Sequence, residues 1–228
     1  MKKILAQLIC GISLIFLLAP INTNAQSIKY DTAYKSKGYI ERLEKFKTDP
    51  ISKNDVVFLG NSITAGTNWA KLLDMPTAIN RGISGDITFG ILNRMQEIID
   101  ANPRKIFILI GTNDISREIP DSLVVSNYKE IVKRIKTGSS SKIYFFTILP
   151  VNQKTNFQKH KGKAVHINWV NSEIKKLASK RVKVIDLYSY FVDGDGQLKE
   201  NLSYDGLHLN DAGYQEWAKV LKEGNYLK

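Results

Sequence analysis

The chain has 228 residues, 43% hydrophobic and 24% charged, with 33 Lys and Arg against 22 Asp and Glu for a formal net charge of +11. That length accommodates one sizeable α/β domain, and a single cysteine excludes an intramolecular disulfide framework, a thiolate metal cluster and, once residues 1–25 are removed, a cysteine nucleophile. The basic excess gathers at Lys154, Lys159, Lys161 and Lys163, and again at Lys175, Lys176, Lys180, Arg181 and Lys183. It reads as solvated faces, with attraction to an acidic glycan or anionic surface as the sharper alternative; no interleaved aromatic–basic module points to nucleic acid.

Residues 1–25 read as a signal peptide. Lys2 and Lys3 open it, Ile4 to Ala19 is mostly apolar, and Pro20 breaks the run. Thr23-Asn24-Ala25 then sets small residues before a cleavage point at Gln26. An uncleaved anchor is the alternative, but Gln7, Gly11 and Ser13 interrupt a run already short for a span. Cys10 lies inside that run, without the small residues that precede a lipoprotein cysteine. The expectation is export to the periplasm or beyond, with no stable membrane insertion after cleavage.

Residues 26–228 are expected to form one domain, beginning with a polar segment and an amphipathic helix within 26–50. Tyr39, Ile40, Leu43 and Phe46 recur at helical spacing until Asp49-Pro50. Strands and helices then alternate. Asp55–Leu59 is a strand and Ala65–Leu73 a helix. Thr77–Asn80 is a short strand, with Asp86 as N-cap of a helix through Ile99. Lys105–Ile110 is a third strand, followed by a helix from Ser122 to Ile135. Lys142–Leu149 is the fourth, followed by a helix over Ala164–Ser179. Val182–Leu187 is the fifth, and Ala212–Leu221 closes the chain. Continuous apolar strands suit a parallel sheet covered on both faces. Five such units predict an α/β fold, a three-layer α/β/α sandwich of flavodoxin-like type with a five-stranded parallel sheet.

Chemistry-bearing residues fall at strand ends or near the C-terminus. Ser62 follows the first strand in Gly60-Asn61-Ser62-Ile63-Thr64. Gly82 follows the second, and Asn113 follows the third in Gly111-Thr112-Asn113-Asp114. Asp205-Gly206-Leu207-His208 comes after the fifth. Taken alone, Ser62 is either a helix cap or a nucleophile, and Gly82, Asn113 and Asp205-Gly206 each suit a turn. Together they specify more. Serine attacks an acyl carbon when a histidine takes its proton, and a carboxylate must orient that histidine. The developing oxyanion needs fixed donors, which the Ser62 and Gly82 N–H groups and the Asn113 amide could supply. Thr64 stands where a G-x-S-x-G elbow has its second glycine, which argues against an ordinary α/β-hydrolase.

The four blocks, in this order from about residue 52 to the C-terminus, resemble those of the SGNH hydrolases, also called the GDSL esterase/lipase family. The glycine block is Asn80-Arg81-Gly82. The resemblance implies Ser62 as nucleophile, His208 as base, Asp205 as orienting acid, and Ser62, Gly82 and Asn113 as the oxyanion hole. It also implies no cofactor and ester hydrolysis through an acyl-enzyme. Asn61 departs from the family's usual aspartate, which bears on the local loop and not on the nucleophile.

Other residues read as structural. His160 and His166 read as surface or structural, because their i,i+6 spacing does not put them on one helix face for a metal. Asp193-Gly194-Asp195 resembles a calcium-loop opening, but Leu198 and Tyr204 stand where that loop needs Gly and Glu, so a turn is preferred. Trp69, Trp169 and Trp217 are expected in the core, and Tyr204 beside the pocket. The expected function is an exported serine esterase acting on small acyl esters, foremost an O-acetylated carbohydrate. Its rivals are a lysophospholipase or thioesterase, and a glycan-binding module on a disused hydrolase scaffold.

Overall fold

The computed structural model describes residues 30–228, so the expectation of a signal peptide over 1–25 lies outside the described residues. Five parallel strands, β1 (Val56–Gly60), β2 (Ala78–Gly82), β3 (Lys105–Leu109), β4 (Lys142–Phe146) and β5 (Val182–Ile185), form one sheet in the order β2-β1-β3-β4-β5. This is the flavodoxin-like order, whose switch point lies between β1 and β3, and open α/β sheets bind ligands beyond the strand carboxyl ends at such a point.

Alternation along the strands builds two cores. Val57, Leu59, Ile106 and Ile108 face one side, beneath α4 (Thr88–Arg94), α5 (Gln96–Ala101), α7 (Asp121–Gly138) and α8 (Ala164–Lys175). Val56, Phe58, Phe107 and Leu109 face the other, beneath α3 (Trp69–Leu73), α9 (Tyr188–Phe191) and α10 (Asp211–Glu223). The second core is aromatic: Phe58 stacks on Trp69 at 4.0 Å and on Phe107 at 5.1 Å, and Trp217 meets Trp69 and Phe146 edge-on, each at 4.9 Å. Burying each such ring contributes about 1.5–3 kcal/mol, plus a smaller directional gain. The N-terminal helix α1 (Lys37–Lys47) is capped by Ser36 and lays Tyr39 and Phe46 against Ile83, just past β2. No helix among the described residues is long and apolar enough to cross a membrane.

Three expectations change. The helix read over Ala65–Leu73 is two short ones, α2 (Ser62–Ala65) and α3. Asn68 interrupts it by accepting from Lys71 N, which opens a new N-terminus. The helix expected from Asp86 to Ile99 is likewise split at Met95 into α4 and α5, and Ile87, not Asp86, occupies its N-cap. Trp169 is 44% exposed, because the buried stripe of α8 runs through Ile167, Val170, Asn171 and Ile174 and leaves Trp169 on the opposite side. Trp69 and Trp217 are buried, as expected.

Candidate active site

The first strand hands the chain to α2 through Asn61, which is 1% exposed and accepts the Ile63 N–H at 3.0 Å through Oδ1. An aspartate would accept the same bond, so Asn61 preserves the turn. Because Asn61 is the cap, Ser62 is free of that task. Its Oγ lies 3.0 Å from His208 Nε2. The other imidazole nitrogen, Nδ1, lies 2.7 Å from Asp205 Oδ2. Asp205 Oδ1 accepts the Leu207 and His208 N–H groups at 2.9 and 2.7 Å. The loop therefore coils around its own carboxylate, and three donors converge on Asp205. Partial burial pushes this carboxyl up, but hydrogen bonds from the His208 ring, His208 N–H and Leu207 N–H outweigh it and hold the group below its ordinary range. Ser203 Oγ closes the loop by donating to His208 O at 2.6 Å and accepting from Gly206 N at 2.8 Å.

Gly82 does not have the free donor expected of it. Its N–H donates to Asn80 Oδ1 at 2.8 Å, and its carbonyl accepts from Arg42 Nε at 3.3 Å. A side chain there would collide with the α2 backbone, since a Cβ would stand 2.3 Å from Ala65 N. Gly82 thus serves the close approach of β2 to α2. Asn80 anchors the same junction, its Nδ2 donating to Thr64 O at 3.1 Å and Thr67 O at 2.8 Å.

Three residues on, Gly85 adopts φ +76°, a conformation glycine takes without strain. Among the described residues no acceptor meets the Gly85 N–H or the Ser62 N–H. The turn that carries Gly85 is held from several sides. Arg117 donates to Gly85 O at 2.9 Å, and Asn113 Nδ2 donates to Asp86 O at 2.9 Å. Arg94 bridges the Asp86 carboxylate at 2.9 Å and Gly60 O at 3.0 Å, tying the turn to the end of β1. Burial raises the Asp86 carboxyl, and the Arg94 guanidinium pulls it back. Asn113 lies on α6 (Thr112–Ser116) and has a second Nδ2 hydrogen beyond the one given to Asp86.

Two aromatic residues flank His208. Tyr204, 70% exposed, lies nearly parallel to the imidazole at 6.0 Å, and Phe157 meets it edge-on at 5.2 Å. His160, expected to be structural or on the surface, instead reaches the site: its Nε2 lies 3.3 Å from Asn113 Oδ1. Spacing between histidines could not reveal this, because His160 sits on a short 3-10 turn, Gln158–His160, in the long connection after β4. His166 pairs with Asp121 at 2.8 Å elsewhere. Asp193 Oδ1 accepts from Asp195 N and Gln197 N at 3.0 and 2.9 Å, which makes that segment a side-chain-stabilised turn. A cavity of about 480 Å³ between α1 and α3 contains none of Ser62, Asp205 or His208, so side-chain chemistry marks the site better than volume does.

A hydroxyl, an imidazole and a carboxylate in sequence, beside unpaired N–H groups at the switch point of a parallel sheet, form an arrangement suited to acyl transfer, the chemistry of the SGNH hydrolases. The GDSL-like Lipase/Acylhydrolase family matches residues 58–216, and the chain belongs to it. Among curated relatives, the platelet-activating factor acetylhydrolase IB subunit alpha2 of Homo sapiens is 30% identical over 176 residues, covering 74% of this chain and 75% of that protein. A solved chain from Streptococcus pneumonia is 29% identical with a TM-score of 0.73, covering 83% of this chain and 94% of that one. A GDSL-like lipase from Bacteroides thetaiotaomicron superposes with a TM-score of 0.71 at 22% identity, covering 82% and 96%, and shows the same fold.

Proposed function

We propose that the chain is an exported serine esterase that hydrolyses small acyl esters, with Ser62 as nucleophile, His208 as general base and Asp205 as the group that orients it. The observation that carries this reading is the continuous line from Ser62 Oγ through both nitrogens of His208 to Asp205. His208 Nε2 takes the Ser62 proton as Oγ attacks the acyl carbon, and Asp205 steadies the resulting imidazolium. The carbonyl oxygen becomes an oxyanion, received by the N–H groups of Ser62 and Gly85 and by Asn113 Nδ2; Gly85 takes the role first expected of Gly82. The imidazolium then gives its proton to the departing alkoxide, leaving an acyl-enzyme that water opens by the same steps in reverse. No step calls for a cofactor.

A short acyl group is supported by the acetylhydrolase named among the relatives. A carbohydrate leaving group is supported by the cavity of about 270 Å³ beside Asp205, lined by Asn152, Lys154, Asn156, Glu200 and the exposed Tyr204 ring. Amide, ammonium and carboxylate groups suit hydroxyls, and an exposed ring suits a sugar face. Export rests on the charge and apolar pattern of residues 1–25, with residues 26–228 as a single hydrolase domain.

The test is hydrolysis of p-nitrophenyl acetate, butyrate and laurate by the mature protein, with Ser62→Ala as control, followed by acetylated sugars. Acetate activity lost in the control supports the esterase. A preference for laurate would replace the carbohydrate ester with a lipid. An inactive protein whose Ser62 resists an organophosphonate would leave a glycan-binding scaffold.

A further inference from the structure

Asn113 can serve an oxyanion only if its amide is held with nitrogen toward the substrate. An asparagine side chain can turn end for end, and Asp86 O restrains one hydrogen of Asn113 Nδ2 alone. The opposite end, Oδ1, faces His160 Nε2 at 3.3 Å. We propose that His160 is a positioning residue, which donates from Nε2 to Asn113 Oδ1 and so locks the amide in the orientation that binds the oxyanion. This rests on the serine-esterase reading given above.

Several observations agree. The donor role places a proton on Nε2, and in the neutral ring this leaves Nδ1 bare. His160 Nδ1 is buried and meets no partner among the described residues. Burial, followed by the nearby His208 and Arg117 charges, lowers the His160 ring to about 4, so it stays neutral while His208 carries the transferred proton. Neutrality matters because a second imidazolium would repel the one formed in catalysis.

The segment that carries His160 is also fastened to the other half of the site. Asn152 N donates to Gly206 O at 2.8 Å, and Asn152 Nδ2 donates to Leu198 O at 3.0 Å. Gly162 N is held by Gln153 Oε1 at 3.1 Å, and His160 N by Phe157 O at 2.9 Å. The Phe157 ring stands edge-on to both His160 and His208, at 6.0 and 5.2 Å. One connection thus braces the Asp205–His208 loop at one end and Asn113 at the other.

A double-mutant cycle tests the proposal. Asn113→Ala, His160→Ala and the double variant are compared with wild type in p-nitrophenyl acetate hydrolysis and in the rate at which an organophosphonate labels Ser62. Removing the Asn113 donor should cost about 10²–10³-fold. Removing His160 weakens its alignment and should lower kcat and the labelling rate about three- to tenfold, with KM within about twofold. On the Asn113→Ala background the same change should have no further effect. His160→Gln, which keeps an N–H donor at similar reach, should recover most of the loss, whereas His160→Met should not. That pair carries the comparison if the alanine variant fails to fold.

Equal losses in both backgrounds, a loss confined to KM, or a glutamine variant no better than methionine would overturn the positioning role. If wild type neither hydrolyses the ester nor labels at Ser62, the esterase reading itself fails and this inference falls with it. Normal labelling with an additive cycle removes only the role of His160.

Discussion

Replacing Asp205 with asparagine changes one atom, yet the loop turns that change into the wrong tautomer at His208. Asp205 Oδ1 holds the Leu207 and His208 N–H groups at 2.9 and 2.7 Å, so an asparagine must keep its oxygen there. Flipping the amide would strand two backbone donors, at about 1–3 kcal/mol each. The amide nitrogen is therefore directed at His208 Nδ1, 2.7 Å away, and it can only donate. Nδ1 must become the acceptor, which moves the proton to Nε2, where it points at Ser62 Oγ and cannot receive the serine proton. The expected loss in kcat is about 10³–10⁴-fold, with the melting temperature close to wild type because the loop's own bonds survive. Burst kinetics with p-nitrophenyl acetate isolate the acylation step, and thermal unfolding monitors the loop. Asp205→Ala provides the contrast: it frees the imidazole tautomer but removes the acceptor of both backbone N–H groups, so its cost should appear in stability as well as in rate. An Asp205→Asn enzyme that acylates within about tenfold of wild type would refute the tautomer argument.

Gly85→Ala should lower acylation while the protein stays folded. A Cβ there meets open space, with its nearest neighbour, Arg117 Nη2, at 4.0 Å, but φ +76° strains any side chain by about 1 kcal/mol and shifts the turn. An activity equal to wild type would remove Gly85 from the oxyanion site. Asn61→Asp should keep activity within about threefold and leave stability nearly unchanged, whereas Asn61→Ala should cost about 0.5–2 kcal/mol through the lost cap, both read by denaturant unfolding. Asp114 adds a pH signature. Burial raises its carboxyl from 3.8 to about 6, despite the hydrogen bonds from Thr88 that favour the ionised form. Between those values the folded protein holds a proton that the unfolded chain has released, so this stabilisation is complete below about pH 4 and fades as pH rises through about 6. The stability of wild type relative to Asp114→Asn should therefore fall from pH 4 to pH 7; a flat difference across that interval would contradict a protonated Asp114.

The sheet was legible because its strands declare themselves. Val56 to Leu59 and Ile106 to Ile110 are apolar without alternation, the pattern of strands covered on both faces, and the order of strand and helix signals then implies parallel pairing. The positions of Ser62, Asp205 and His208 could be read for a related reason: a strand end followed by a turn leads to one edge of a parallel sheet, and the Asp-x-x-His spacing lets one loop wrap its own carboxylate. Trp169 is legible in principle, since it lies off the stripe that Ile167, Val170 and Ile174 trace along α8, whereas a tryptophan in a helical pattern does not by itself say which face it occupies. Gly82 and His160 were not legible, because each depends on which side chain the folded backbone brings to it, a distant one for His160 and a close neighbour for Gly82. A glycine at a strand end offers its N–H only if nothing nearer accepts it, and Asn80 Oδ1, two residues away, takes that of Gly82.

The surroundings of Ser62, His208 and Asp205 are polar and densely hydrogen-bonded. The Gly85 turn is positioned by Arg94, Arg117 and Asn113, which arrive from α4, the end of α6 and α6 itself. Buried ionic contacts of this kind add little net stability, since the desolvation of Arg94 and Asp86 offsets much of their attraction. What they add is placement, because breaking one leaves an unpaired buried charge and moves the turn. Arg94→Met should therefore harm acylation by misplacing Gly85, even though Arg94 touches neither Ser62 nor His208 among the described contacts. The Asp86 carboxylate it leaves behind should cost about 3–5 kcal/mol, unless the acid protonates. Pairing it with Asp86→Asn removes that charge. Recovery of stability in the double variant without recovery of acylation would separate the two roles, whereas recovery of both would mean that Arg94 serves only to neutralise Asp86.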